Sequence, residues 1–374
     1  MDKLLFIQDS SFSGSYSMHE ALVHSCSSSV KGYGAYSFAS KSGVDLLFND
    51  KEFHELFEKE GYSLVVGIDE ITNIECLESL NNLMVKVPNF SVRAFYHEDN
   101  GSLFHPKLSF FKDVTGGGSL LVGSGNLTFG GLRKNREAFS LISLSLDEYQ
   151  RVENYWNKWV HEAQNHLKLI DDQSVVDRVS KNIYIRSHTV KKPLLEGEEE
   201  SFEIRPPENA APITEGWEFS GTNRVLLAEI PKSGDRWKQA NFDLETFRHF
   251  FGAMPGDNSQ RILLRSLSGD ALLAPIEVRP SVSVKSQNYR FELDAATGLA
   301  YPTDGKPVGI FVQITTRMFL YHLFMPSHEL YPEIIHRMNS LWRGRRDRMI
   351  RIVVEANEIF DLLDKSVFQH YKSA

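Results

Sequence analysis

The stretch "LFHPKLSFFKDVTGGGSLLVGSGNLTFGGLRKNREAF", Leu103 to Phe139, decides the fold of the first half of the chain. Two apolar runs joined by a glycine-rich turn predict a pair of antiparallel strands. His, Lys, Ser, Asn and Glu stand where a plain hairpin would carry more Val and Thr. These polar residues form either a solvated face or one reactive site.

Alternation along the first run gives its two faces different characters. A strand from Leu103 to Phe111 places His105, Lys107 and Ser109 on one side and mostly aromatic and aliphatic residues on the other. We expect the apolar side to be core.

The second run ends in polar and glycine residues. Ser124 and Asn126 share a face if the strand continues through them, and we expect Gly123 and Gly125 to leave room for a bulky group. Glu137 then stands at the start of a further strand. The sequence therefore predicts that polar residues from three segments share one concave site.

This combination of side chains suits attack on a phosphodiester. An imidazole can attack phosphorus and form a covalent intermediate, and a carboxylate on its other nitrogen fixes the tautomer. Lys, Asn and Ser supply charge and donors to the phosphoryl oxygens. The stretch offers no carboxylate cluster for magnesium, because Asp113 stands alone. We expect neither a metal nor another cofactor.

The succession H-x-K, G-S-G-N and N-R-E resembles the signature of the phospholipase D superfamily, which comprises H-x-K nucleases and phosphatidyl transferases. The resemblance implies that His105 is the nucleophile and that Glu137 orients it. It also implies that Lys107, Ser124 and Asn126 bind the phosphate.

Two features of the sequence depart from the superfamily pattern. The Asp that often follows the Lys by five residues is replaced by Lys112, with Asp113 one step later. The superfamily site uses two histidines, but the chain contains no second H-x-K, and "HTVK" at His188 has the wrong spacing. The resemblance therefore implies a homodimer through the N-terminal domain, with one site at its two-fold axis.

Length and composition indicate an ordinary globular protein of about two domains, with 374 residues, 41% hydrophobic and 24% charged. The apolar runs are too short for a bilayer span, and the first residues do not fit a signal-peptide core. We therefore expect a cytoplasmic protein without a membrane partner. Cys26 and Cys76 suggest neither a disulfide framework nor a zinc site.

The net charge of -8 argues mildly against nucleic acid as a partner. From Ser201 onward, however, 21 basic residues balance 21 acidic ones, so the acidic excess lies in the first half. A basic surface in the second half is compatible with this distribution.

Helices and strands alternate in the first half of the chain, which indicates an α/β layer fold. The predicted elements are helices in 49–61 and 75–87, strands in 63–68 and 90–96, and a long amphipathic helix over 147–170. The aromatic stripe of the last helix, including Tyr155 and Trp156, is expected to be core or subunit packing.

The pattern of predicted elements changes after a polar, charged and proline-containing segment. We place a phospholipase D-like nuclease domain at 1–172, a linker at 173–204 and a second domain at 205–374, with a C-terminal helical extension. Short strands dominate the second domain, and only 241–252 and 327–338 read as helical. This pattern predicts a mainly-β, barrel-like fold.

The segment "ANFDLETFRHFFG", with the strands around it, resembles the B3-like pseudobarrel that recognises DNA in certain restriction endonucleases with phospholipase D-type nuclease domains. The resemblance implies two arms that grip the major groove, with side chains suited to base edges. The alternative is two solvated hairpin tips. The arm residues are Lys232, Ser233, Asp235, Arg236, Lys238 and Gln239 in the first, and Lys285, Ser286, Gln287, Asn288 and Arg290 in the second.

Together the two resemblances imply a metal-independent restriction endonuclease that cuts double-stranded DNA at a specific sequence through a phosphohistidine. A cognate DNA methyltransferase would accompany such an enzyme. Two alternatives stay open: a lipid phosphodiesterase of phospholipase D type, and a restriction subunit that depends on a separate ATPase or helicase. The chain contains no Walker A sequence, so any ATP chemistry would lie in that partner.

Overall fold

A computed structural model describes residues 3–12, 14–98, 102–188, 216–232, 237–254, 257, 260–280, 289–344 and 348–373. The chain forms two compact units. The first comprises Met1–Gln8 and Tyr16–Ile213, and the second comprises Asp9–Ser15 and Thr214–Ala374.

The first unit is a mixed α/β layer structure, as predicted. Its strands are β1 (Lys3–Gln8), β2 (Ser29–Tyr36), β3 (Gly61–Gly67), β4 (Phe90–Phe95), β5 (Lys107–Asp113), β6 (Gly118–Gly123), β7 (Glu137–Leu144) and β8 (Leu167–Lys168). Its helices are α1 (Met18–Ser27), α2 (Lys41–Phe48), α3 (Lys51–Phe57), α4 (Ile74–Lys86), α5 (Leu146–Glu162) and α6 (Gln173–His188).

These strands form one eight-stranded sheet in the order β1-β7-β6-β5-β2-β3-β4-β8. The parallel pairs β2-β3 and β3-β4 lie beside a run of antiparallel pairs from β2 to β1. The predicted hairpin of β5 and β6 is confirmed, and β5 lies in the interior of the sheet between β6 and β2.

Both faces of the central strands are buried, which explains the apolar runs in the sequence. On one face, Phe53 and Phe57 of α3 pack with Tyr62 and neighbouring aromatic rings. On the other face, α5 places Trp156 against Tyr33 and Phe110. The predicted aromatic stripe of α5 is thus core, whereas Tyr155 points to solvent with 78% of its surface exposed.

Helix α6 occupies the first part of the segment predicted as a linker. Arg178 donates from Nε and Nη2 to Asp69 Oδ1 at 3.1 and 2.7 Å. The Nδ2 group of Asn182 donates to the carbonyls of Ile68 and Thr72. These side chains tie α6 to the turn that follows β3. The rest of the predicted linker, from residue 189 to 204, lies outside the described residues.

The second unit is rich in strands, as the sequence predicts. Its strands are β9 (Arg224–Glu229), β10 (Gln239–Phe242), β11 (Arg261–Ser266), β12 (Glu277–Pro280), β13 (Tyr289–Glu292), β14 (Val308–Thr315), β15 (Met318–Phe324) and β16 (Arg351–Glu355). Its helices are α7 (Leu244–His249), α8 (Tyr331–Leu341) and α9 (Phe360–Leu363).

Six strands of this unit form a sheet in the order β12-β11-β15-β14-β9-β16, and β10 pairs with β13 in a two-stranded ribbon. The predicted helix at 241–252 is shorter in the structure. Asp243 caps α7 by accepting from Thr246 N, and the residues before it belong to β10. The core includes Phe242, Phe251 and Phe311.

None of the helices in the described ranges is long and apolar enough to cross a membrane.

Adjacent residues of α5 provide a test of the core of the first unit. Trp156→Ala should lower the free energy of unfolding of this unit by about 3–5 kcal/mol, because it leaves a cavity beside Tyr33 and Phe110. Tyr155→Ala on the solvent side should change it by less than about 0.5 kcal/mol. Urea unfolding of the full chain, followed by far-ultraviolet circular dichroism, measures both. Equal losses in the two variants would contradict this assignment of the helix face.

Candidate active site

The ends of four neighbouring strands meet at one edge of the eight-stranded sheet, which we call the site edge. β2 and β6 finish there, at Tyr36 and Gly123, and β5 and β7 begin there, at Lys107 and Glu137. This follows from antiparallel pairing of β2 with β5, β5 with β6, and β6 with β7. The segments that carry the five predicted catalytic residues are therefore neighbours in space.

The ammonium group of Lys107 is the centre of the site edge. Lys107 is buried, and its Nζ donates to Ser37 Oγ at 2.7 Å. The same nitrogen lies 3.1 Å from His105 Nε2 and 3.4 Å from the His105 carbonyl oxygen. An ammonium group has three hydrogens and no lone pair, so three acceptors match its full capacity.

The contact with Lys107 defines the tautomer of a neutral His105. Because the ammonium only donates, Nε2 of His105 must accept, and the ring proton must lie on Nδ1. Nε2 therefore carries a lone pair beside a positive charge. The His105 side chain is exposed, so that nitrogen lies where a ligand can reach it.

Asn126 joins this group through the backbone of Phe38. The Phe38 N–H donates to Asn126 Oδ1 at 3.3 Å, which leaves the two Nδ2 hydrogens as the donors that Asn126 can offer. The ring of Phe38 lies edge-on to the His105 ring, with centroids 6.2 Å apart. The structure thus gathers His105, Lys107 and Asn126 around the two residues that follow β2.

Ser124 and Glu137 form a pair beside this group. Ser124 Oγ donates to Glu137 Oε2 and accepts from the Ala138 N–H at 3.1 Å. Asn135 Nδ2 donates to Glu137 Oε1 at 3.1 Å. These hydrogen bonds engage the Glu137 carboxylate with Ser124 and Asn135, so its expected role in orienting a histidine stays a prediction.

The glycines near Ser124 serve close packing, and the expectation that they leave room for a bulky group is wrong. A Cβ on Gly123 would lie 2.4 Å from Phe139 Cβ. One on Gly125 would lie 2.6 Å from Met18 Sδ and 2.7 Å from the Gly131 carbonyl oxygen. Only glycine permits these approaches of protein to protein.

Alternation along β5 predicts the site only in part. The strand begins at Lys107 and not at Leu103, because Pro106 has no N–H for the ladder, so His105 precedes the strand. Ser109 shares the face of Lys107 but is fully buried, with its hydroxyl 2.7 Å from those of Tyr36 and Tyr62. It is an interior residue.

Asp113 lies at the far end of β5 from the site edge, about 20 Å along the strand. Its Oδ1 accepts from the backbone N–H and the hydroxyl of Thr115, which caps the turn into β6. The Asp113 carboxylate therefore has a structural role at this turn, and no catalytic role is needed to explain it.

Ser37 and Phe38 hold three of the five predicted residues, although no sequence pattern predicted this role for them. The available signal was a serine directly after the buried strand "GYGAY". Polar residues at the end of a buried strand often belong to a site at that sheet edge, but the pairing of β2 with β5 spans about 70 residues of sequence.

The electrostatic state of Lys107 follows from its burial. Desolvation lowers the pKa of the Lys107 ammonium, and the charge of Glu137 raises it in part. Glu137 is thus electrically coupled to the lysine although it does not touch it.

Within the described ranges, no group of three His, Cys, Asp or Glu side chains is arranged to hold a metal ion.

The predicted DNA-binding arms are only partly described. Lys232, Lys238, Gln239 and Arg290 lie within the described residues. Ser233, Asp235, Arg236, Lys285, Ser286, Gln287 and Asn288 lie outside them.

The two arms enter the same ribbon from opposite ends. β10 and β13 pair antiparallel, with Gln239 opposite Glu292 and Asn241 opposite Arg290. The first arm ends at Gln239, the first residue of β10. The second arm ends at Arg290, in the first half of β13, at the other end of the ribbon. The ribbon core is formed by Ala240 and Phe242, so Gln239 and Asn241 face outward.

A hydrogen-bonded network covers the outward face of this ribbon. Arg290 Nη1 donates to Gln239 Oε1 at 3.1 Å, and Gln239 Nε2 donates to Glu292 Oε1 at 3.2 Å. Lys238 Nζ lies 3.4 Å from Glu292 Oε2. The Gln239 hydrogen bond and then the Lys238 charge hold the pKa of Glu292 below its usual value. Lys238, Gln239 and Arg290, three of the four described arm residues, are therefore joined in one network through Gln239 and Glu292.

No family model and no curated protein matches the chain. Among solved structures it is similar to NucT from Helicobacter pylori, at 15% identity and a TM-score of 0.32, covering 45% of this chain and 98% of that one. Nuc from Salmonella typhimurium, a phospholipase D family member, gives 15% identity and a TM-score of 0.33, covering 45% and 96%. Yeast tyrosyl-DNA phosphodiesterase gives 16% identity and a TM-score of 0.28, covering 37% and 31%. Similarity this low carries no inference about chemistry.

The coupling between Glu137 and Lys107 can be measured directly. Glu137→Gln should lower the pKa of Lys107 further, because it removes a negative charge that favours the ammonium form. Nitrogen-detected NMR titration of the lysine side chains follows this pKa. Asp147→Asn, at the start of α5 and next to the opposite sheet edge, is the matched control and should leave it unchanged. A higher Lys107 pKa in Glu137→Gln would contradict the coupling.

Proposed function

We propose that the protein is a phosphodiesterase of phospholipase D type that acts on DNA. The observation that carries the proposal is the contact of the Lys107 ammonium with His105 Nε2 at 3.1 Å. It places a nucleophilic lone pair of the exposed His105 beside the positive charge of the buried Lys107. Asn126 and Ser124 follow the neighbouring strand β6. Asn126 offers its Nδ2 hydrogens to a phosphate, and the Ser124 hydroxyl can do the same once its hydrogen bond to Glu137 opens.

In the proposed reaction, His105 Nε2 attacks phosphorus and a bond between nitrogen and phosphorus forms as the bond to the leaving oxygen breaks. An acid protonates the leaving oxygen. Water then attacks the phosphohistidine and gives its proton to the group that served as the acid. The bond between nitrogen and phosphorus breaks, which releases the phosphate ester and restores both the imidazole and the acid. Lys107, Asn126 and Ser124 stabilise the charge that develops on the phosphoryl oxygens. No metal is part of this scheme.

We propose a homodimer through the first unit, in which a second His105 is the acid. An uncovered face of the sheet next to the site edge supports this arrangement. Leu5, Ile7 and Val122 are 72%, 49% and 42% exposed, and Ala138 beside Ile7 is exposed as well. An exposed apolar face of this kind can be buried against the same face of a second copy, as in a two-fold interface.

For the second unit we propose recognition of a specific double-stranded DNA sequence, as in a restriction endonuclease. A two-stranded ribbon fits the major groove. The ribbon of β10 and β13 carries Gln239 and Arg290 outward, and both side chains suit purine edges. A B3-like fold for this unit, and a cognate methyltransferase as partner, belong to the same proposal.

Two other functions share the catalytic set. One is hydrolysis of lipid phosphodiesters, and the other is cleavage that depends on a separate ATPase subunit. Arg290 and Lys238 favour a nucleic acid over a lipid, because their contacts with Gln239 and Glu292 leave further N–H donors for bases and phosphates.

Plasmid DNA incubated with the protein in excess EDTA tests the nuclease activity. We expect discrete fragments from the wild type. His105→Ala should reduce the rate on the order of 10⁴-fold or more, because it removes the nucleophile. His161→Ala, an exposed histidine of α5, is the matched control and should cut normally.

Cleavage that needs a metal and survives His105→Ala would overturn the proposed chemistry. A protein inactive on DNA but able to hydrolyse phosphatidylcholine vesicles, with loss of that activity in His105→Ala, would establish the lipid alternative. Cleavage that begins only after addition of ATP and a cell extract would establish dependence on a partner.

The dimer has its own test. Leu5→Glu combined with Ile7→Glu should convert the protein to a monomer and remove its activity, because charges would be buried at the interface. Val85→Glu replaces a residue that is 80% exposed on α4 and should leave the dimer intact. Sedimentation velocity measures the mass. A wild-type monomer with full activity would refute the shared site.

A further inference from the structure

Ser37 contacts the H-P-K segment at three points. Its backbone N–H donates to the Pro106 carbonyl at 2.8 Å, and its hydroxyl lies 3.2 Å from the same oxygen. The Lys107 ammonium donates to the Ser37 hydroxyl at 2.7 Å. Ser37 is fully buried. It directly follows β2, the strand that pairs with β5.

The direction of these hydrogen bonds assigns each atom a role. A hydroxyl has one proton, and Ser37 gives it to Pro106 O. Its lone pairs therefore face Lys107, so that Ser37 acts on the lysine only as an acceptor. Two further acceptors of Lys107 belong to His105, and Ser37 is the one supplied by another strand.

We propose that Ser37 is a positioning residue for the phosphodiesterase reaction: it anchors the Lys107 ammonium at His105 Nε2 and fixes the H-P-K backbone to β2. This inference rests on the proposed function for its catalytic part. The anchoring itself is a property of the fold and can be measured without substrate.

When substrate binds, Lys107 loses its contact with His105 Nε2 but keeps its contact with Ser37. Nε2 must lose its contact with Lys107 before it can attack, since its lone pair cannot serve both. A phosphoryl oxygen takes over that ammonium hydrogen. The contact with Ser37 involves no reacting atom and persists, so it keeps Nζ in reach of the phosphate while the histidine is released.

The ammonium form of Lys107 also depends on this acceptor. Burial lowers the pKa of the lysine, and a hydroxyl lone pair favours the charged form. Removal of the Ser37 hydroxyl should lower that pKa further. If the ammonium is required for turnover, activity is lost as the pH rises through the pKa, and the basic limb of the pH-rate profile should move to lower pH.

Ser37→Ala and Ser37→Cys, each in the full chain, test the proposal. Cysteine preserves volume but is a weak acceptor, so it separates loss of the hydrogen bond from loss of packing. Both variants should reduce kcat about 10- to 100-fold, with KM within about threefold. In both, NMR titration should give a lower Lys107 pKa than in the wild type.

Ser109→Ala is the matched control. It removes a fully buried hydroxyl from the neighbouring strand that contacts Tyr36 and Tyr62 and not Lys107. It should reduce stability while leaving the Lys107 pKa and the pH-rate profile unchanged.

An unchanged Lys107 pKa in both Ser37 variants would overturn the proposal, as would equal effects of Ser37→Ala and Ser109→Ala on kcat. The NMR measurement requires no substrate. If His105→Ala cuts DNA normally, the proposed function fails, while the lysine titration still decides whether Ser37 anchors Lys107.

Discussion

The buried ammonium of Lys107 constrains the pairing of β2 with β5 and the side chains at the site edge. A charge taken out of water is costly unless acceptors surround it, and here the acceptors are Ser37 and two atoms of His105. This requirement fixes the register of β2 against β5, in which Tyr36 lies opposite Lys107. A slip of one residue would turn the lysine to the other face of the sheet and leave Ser37 without it. Burial of this one ammonium group thus depends both on the register of the sheet and on the polar groups at the site edge.

The mixed topology of the sheet explains why one edge collects so many polar residues. β5 has antiparallel neighbours on both sides, so the ends of β2 and β6 both lie beside its first residue. Ser37 and Phe38 approach from one side, and Ser124 and Asn126 approach from the other. The glycines at 123 and 125 let the second segment come close enough by removing side chains at contacts with Phe139 and Met18. Backbone packing, not an open pocket, accounts for the glycine-rich sequence.

The sequence predicts what is local and fails where distant segments meet. The hairpin of β5 and β6, the helices α3 to α5 and most strands of the second unit follow from hydrophobic periodicity. Ser37 could not be found this way, because its contact with Lys107 depends on a pairing across about 70 residues. Alternation misplaced His105 in the strand because it ignored Pro106. Likewise, the two arms lead into one ribbon because β10 pairs with β13, and no local pattern encodes that pairing.

The roles proposed for Ser124 and Glu137 depend on each other. The one proton of the Ser124 hydroxyl goes to the Glu137 carboxylate, so Ser124 cannot donate to a phosphate until that bond opens. A phosphate in the site would also repel the Glu137 carboxylate, and this repulsion favours opening of the hydrogen bond between Ser124 and Glu137. Glu137 then has an oxygen free while Asn135 still holds the other. In the proposed dimer, an imidazole N–H is the donor able to take that place, and its gain of positive charge would offset the carboxylate's proximity to phosphate. In the proposed function, phosphate binding by Ser124 and histidine orientation by Glu137 would therefore occur together, through one exchange of hydrogen bonds.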